Sequence, residues 1–314
     1  MEGSKSVVIA AMVANAGIAV LKFLGFLLTG SPAMLSETYH SISDTGNQVF
    51  LLVGLRYGER DPTRTHPFGY GKAQFFYSFL VSVMLFGIAG WESASHGYHA
   101  IVEGEASALA GTVTVAGSTF PAVWVNYAVL LGGLVFEGYA FRKAFRSTRR
   151  DIRRHGWSGF REAFHKTSNV TTLTALTEDT IALIGLGLAF VGILGTQLTG
   201  NPLFDAVAAF LIGILLMGFA VALAWENQRL LIGESLPLAE EAALERIVAT
   251  WEGVTDVVDF RTVYFGPDEV VVTADVEFDA DFDTEEMDET ITAIEDALRA
   301  QNEAVAKVYI EPEF

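Results

Sequence analysis

Six stretches of this chain are apolar and long enough to cross a lipid bilayer, and that limits the fold more than any other feature. They run roughly over 6–30, 32–57, 73–101, 121–145, 169–197 and 202–224, each near or above the ~20 residues that a membrane helix needs. In hydrocarbon every backbone N–H and C=O must be satisfied within the protein, so such runs are expected as helices. The first is too long for a cleavable signal peptide, has no clear cleavage site and runs straight into the second. A mean hydropathy of +0.36 with 51% apolar residues suits an integral membrane protein that also carries a water-facing part. The chain has no cysteine, which excludes disulfides and thiolate metal sites.

Charge divides the sequence in two. Residues 234–314 hold 23 Asp and Glu against Arg246, Arg261, Arg299 and Lys307, whereas the preceding part is close to neutral. The expected domains are therefore a six-helix transmembrane domain over 1–233 and an acidic domain over 234–314. So strong an acid surplus reads as a face adapted to high salt, as in a halophilic prokaryote, and speaks against nucleic acid as a partner. Within the tail, Leu238 to Trp251 patterns as an amphipathic helix. "VVDFRTVYFG" and "EVVVTADVEF" alternate as two strands around "PDE". Thr284 to Gln301 is a second helix with Asp283 or Thr284 near its N-cap, and "AVAKVYIEPE" is a last strand. The fold class expected is an α-helical polytopic membrane protein with a small α-β-β-α-β domain.

Lysine and arginine give the orientation. The loop after the second span carries Arg60, Arg64 and Lys72, and that after the fourth carries Arg146, Arg149, Arg150, Arg153, Arg154, Arg161 and Lys166. The loops after the first, third and fifth spans carry none. The positive-inside rule then puts both termini and the tail in the cytoplasm of a cell-membrane protein.

One segment resists the lipid reading. "MLSETYHSISDTGNQ" sets Glu37, His40, Asp44 and Asn47 on one helical stripe inside the second span. Ionisable groups at this depth are costly and face a partner in the bundle interior. An imidazole and a carboxylate four residues apart suit a borderline divalent ion such as Zn²⁺; the alternative is a hydrogen-bonded pair between helices. The fifth span carries a second acidic pair, Glu178 and Asp179. Asp44 falls ~18 Å from one end of its span and Asp179 ~15 Å from the opposite end of its own, so the groups are expected to meet near the midplane.

These pieces together resemble the cation diffusion facilitator family of divalent-metal/proton antiporters. The resemblance rests on "LKFLGFLLTGSPAMLSETYHSISDTGNQ", "HPFGYGKAQFF", "EDTIALIGLGLAF", "NPLFDAVAAFLIG" and the closing "VYIEPE", and covers nearly the whole chain. It looks closest to the branch that holds the mitochondrial zinc exporters. The family implies six spans, a cytoplasmic metallochaperone-like domain, a homodimer through that domain, and alternating access. By this resemblance His40, Asp44 and Asp179 take ligand positions. The usual histidine position four before Asp179 is Ala175, so Glu178, Glu37, Asn47, Glu137 from the fourth span, or a water would complete the set. Such oxygen-rich ligation lets Mn²⁺, Fe²⁺ or Co²⁺ compete with Zn²⁺. No cofactor is implied beyond the transported ion.

Other residues have plainer readings. His66 and Tyr70 in the "HPFGYGK" loop are expected to shape that loop rather than hold metal. The tail has no histidine, so any metal sensing there would use carboxylates such as Asp275, Glu277 or Glu311. Lys22 and Glu92 are expected to snorkel towards a membrane surface, His96 and His99 to lie at an interface, and Asp205 to cap the sixth span. The rival from another class is a membrane-embedded metalloenzyme using His40, Asp44 and Asp179 to activate water. The chain carries no further catalytic motif in its favour.

Overall fold

The computed structural model of the chain describes residues 2–104, 111–115, 117–155, 158–160, 170–267 and 269–313. Its backbone forms two compact units, one made of residues up to Leu52 with Ser78–Trp225, the other of Val53–Tyr77 with Glu226–Phe314.

The first unit is built on long helices. α1 (Glu2–Thr29) and α2 (Pro32–Gly58) are joined by a tight turn. Gly30 there takes a left-handed φ of 66°, and its N–H closes on the Phe26 carbonyl at 2.7 Å. Ser31 caps α2 by accepting the Met34 N–H at 3.2 Å, and Pro32 sits in its first turn. The same device recurs between α6 (Val170–Thr199) and α7 (Leu203–Ile232). Gly200 has φ 69°, and the Asn201 side chain accepts the Leu203 N–H at 3.0 Å. Asn201 is thus the cap. Asp205, expected in that role, lies a turn further in and is buried, its backbone N–H donating to Thr196 Oγ1 at 3.1 Å.

The third rod is α3 (Lys72–Met84), a π-helical segment (Leu85–Trp91) and α4 (Glu92–Glu103). α4 packs against α7 through small residues. A Cβ on Gly97 would stand 2.4 Å from the Phe210 nitrogen, and one on Gly213 would stand 2.3 Å from that of Ala94. A hairpin of β1 (Thr112–Val115) and β2 (Ser118–Pro121) follows where a plain loop was expected. Its β-branched "TVTV" run and the positive φ of Gly117 account for it. α5 (Val123–His155) outruns its expected end at 145, because its basic segment is built of helix formers with no breaker before Gly156.

Six helical rods among the described residues thus lie over the six expected spans. Among the described residues, Lys72–Glu103, Val123–Arg150, Leu176–Thr199 and Leu203–Ile232 are long and apolar enough to cross a membrane, and Asn15–Thr29 is a shorter apolar helix. α2 is not among them because polar residues interrupt its apolar run. The core of this unit gathers Met34, Leu130, Leu186, Ile193, Ile212 and Leu216.

In the second unit, α8 (Leu238–Ala249), β3 (Val254–Gly266), β4 (Glu269–Phe278), α9 (Thr284–Gln301) and β5 (Val305–Glu313) reproduce the α-β-β-α-β order. The sheet runs β3-β4-β5, antiparallel then parallel. Leu244, Val248, Val272, Ile294 and Leu298 fill its core. Asp283 caps α9, accepting the N–H groups of Glu285 and Glu286 at 2.9 Å, while Glu286 reaches back to the Asp283 N–H. The 59–71 loop belongs to this unit. Phe68 packs on Phe265 and Tyr309, and Lys72 lies over the Phe265 ring. His66 stacks on Tyr70 with centroids 4.3 Å apart, a loop-shaping role.

Candidate metal transport site

α2 supplies the first half of the site. His40 and Asp44 share a helical face, with Nδ1 and Oδ1 3.6 Å apart, too long for a hydrogen bond. His40 is 3% exposed, and among the described residues neither of its ring nitrogens has a hydrogen-bond partner. Buried imidazoles are almost always satisfied, so two idle nitrogens point to a group kept for a ligand or proton that comes and goes. Three residues on from Asp44, the Asn47 amide donates to Glu178 Oε1 on α6 at 3.3 Å.

α6 and α5 supply the rest. Glu178 lies within electrostatic range of Asp44 and His40. Asp179 lies within range of Asp44 and Glu137, and Glu137 on α5 is within range of His40. Every predicted site residue thus belongs to one electrostatic neighbourhood of the first unit. Among the described residues no three of His, Asp and Glu converge closely enough to hold an ion together. The backbone of Ala175 is part of α6; its side chain lies outside the described residues.

Two residues stand differently from expectation. Lys22 does not snorkel: it is 1% exposed and donates to Glu37 Oε2 at 2.7 Å. Glu37 is fully buried, and its Oε1 takes the space that a side chain on Gly185 of α6 would fill, 2.7 Å from that Cβ position. The pairing was legible in principle. Lys22 stands seven residues before Thr29 and Glu37 five after Pro32, so a tight turn brings both to a depth of ~8–10 Å. Elsewhere His99 forms an exposed pair with Glu103 at 3.2 Å.

Comparison with known proteins bears on this geometry. Residues 8–232 match the model of the cation efflux transmembrane domain, and residues 236–313 that of the cytoplasmic domain of cation efflux proteins. The chain belongs to the cation efflux family. This is the cation diffusion facilitator family of the sequence resemblance, a family of transporters and not enzymes, which removes the metalloenzyme reading. Among its relatives is the mitochondrial proton-coupled zinc antiporter SLC30A9 of Xenopus laevis, 29% identical over 89% of this chain and 47% of the relative. Its Homo sapiens counterpart is 28% identical over 88% and 46%. Metal tolerance protein C4 of Arabidopsis thaliana is 25% identical over 88% and 57%. The chain spans about half the length of the curated relatives it matches.

Proposed function

We propose that this chain exports a divalent transition metal from the cytoplasm in exchange for protons, with Zn²⁺ as the first candidate. The observation that carries the reading is His40, buried in α2 with neither ring nitrogen hydrogen-bonded among the described residues and Asp44 beside it. The ligands assigned are His40 and Asp44 from α2 with Asp179 and Glu178 from α6; Asn47 and Glu137 support them. Metal binds imidazole and carboxylate in their deprotonated forms, so each ion that enters expels protons and each that leaves takes protons in its place. That linkage is antiport without a separate proton channel. Alternating access then needs only relative movement of the helices around the bound ion.

The relatives named as zinc antiporters support Zn²⁺, and the alanine at position 175 supports competition from Mn²⁺, Fe²⁺ or Co²⁺. The charge pattern of the loops supports a cell-membrane protein with cytoplasmic termini, a transmembrane domain over 1–233 and a cytoplasmic domain over 234–314. The match to the family's cytoplasmic domain supports a homodimer joined through that part. Flux of Zn²⁺, Mn²⁺, Fe²⁺, Co²⁺ and Cd²⁺ into proteoliposomes, with and without a pH gradient, is the test. Metal-driven alkalinisation of the vesicle lumen, the compartment that receives the metal, is expected, and flux indifferent to the proton gradient would refute the coupling.

A further inference from the structure

The transport reading makes no use of the buried pair Lys22–Glu37. Stability does not account for it. Desolvating two charges at bilayer depth costs about as much as their attraction returns, and two apolar side chains would serve as well or better. Its position is more telling. The charges of both residues act on His40, Asp44 and Glu137. Glu37 spends one oxygen on Lys22. Its other oxygen, fully buried and without a hydrogen-bond partner among the described residues, is directed at α6, where Gly185 leaves it room. A carboxylate with one idle oxygen lies between the two helices that carry the site, and among the described residues its hydrogen-bond partner is the Lys22 ammonium.

We propose that Lys22 is a built-in counter-cation that keeps Glu37 out of the metal's coordination and so holds the site's affinity low enough for release. The inference rests on the transport site proposed above. A carrier must bind a divalent ion and then let it go. Affinity for a hard or borderline ion rises with the number and charge of its oxygen ligands. Without the ammonium, Glu37 is one more anionic oxygen donor beside the site. Without the carboxylate, the ammonium is an uncompensated positive charge beside an incoming cation. The two residues therefore act on affinity with opposite signs, whereas a merely structural pair fails alike from either side.

The test is Zn²⁺ binding at equilibrium to the purified full-length protein, with flux in proteoliposomes. Lys22→Gln is expected to tighten binding on the order of tenfold and to slow turnover at saturating Zn²⁺; Glu37→Gln is expected to weaken binding on the order of tenfold. The double variant falls between them. Any two of the three variants decide the sign, because the single variants differ from each other by two charges and from the double variant by one; this covers a single variant that does not reach the membrane. Shifts in the same direction for both residues overturn the proposal. Asp44→Ala separates the two layers of the argument. If it abolishes binding while the Lys22 and Glu37 variants shift together, the counter-cation fails and the site stands. If it leaves binding and flux intact, the site itself is misplaced.

Discussion

Asn47 on α2 donates its amide hydrogen to Glu178 on α6 across 3.3 Å, a polar tie between the two helices that carry the proposed ligands. A hydrogen bond to an ionised acceptor contributes about 1.5–3 kcal/mol, so Asn47→Ala should weaken Zn²⁺ binding by roughly tenfold or more. The loss should appear in KM more than in turnover, since the amide positions a ligand and does not itself exchange. Unchanged affinity in a correctly inserted variant would mean that Glu178 needs no such support.

Asp44→Ala and Asp179→Ala should each abolish metal flux while the protein still reaches the membrane. Each removes one of few anionic groups around a desolvated ion. Vesicle uptake set against the amount of inserted protein is the measurement. Near-normal flux in both variants would sink the assignment.

Ala175→His should move selectivity towards Zn²⁺ and away from Mn²⁺. The position lies one turn before Asp179 on the helix Val170–Thr199, hence on the same face. An added imidazole favours the borderline ion over the harder one. Tighter binding slows release, so the Zn²⁺:Mn²⁺ ratio must be read in both affinity and turnover. An active variant with an unchanged ratio would assign the α6 ligand to Glu178 instead.

Much of this molecule is visible in the sequence because bilayer chemistry leaves little choice. The six rods and the α-β-β-α-β order follow from apolar length and alternating strands. His40 and Asp44 are visible because polar residues in an apolar run need a reason. Lys22 was misread because snorkelling and pairing leave the same mark in one dimension, and only the turn geometry tells them apart. The Asn47–Glu178 bond spans 131 residues, and no local pattern carries that. The β1–β2 hairpin was missed because "TVTVAGST" is too short to outweigh its loop context.

The second unit offers a check that is independent of metal. Burial pushes the Tyr264 phenol up to about 12, with Glu240 and Glu234 adding to the effect. The unfolded chain gives up this proton near the ordinary value of ~10, and the folded one holds it longer. Stability from this group is thus complete below pH ~10 and is lost as the pH rises through about 12. In Tyr264→Phe that part of the alkaline decline should vanish. A difference absorbance titration of parent against variant should place the missing phenol near 12; a midpoint at the ordinary tyrosine value would show that the side chain is solvated.

The four-residue turn Thr29-Gly30-Ser31-Pro32 has a consequence for biosynthesis. It is short enough for α1 and α2 to enter lipid as one helical hairpin. Lys22 and Glu37 then cross the headgroups together, already neutralising each other, at a fraction of the cost of inserting either charge alone. Lengthening that turn with flexible residues would part the two charges in time, and α1 would meet the bilayer with a lone lysine.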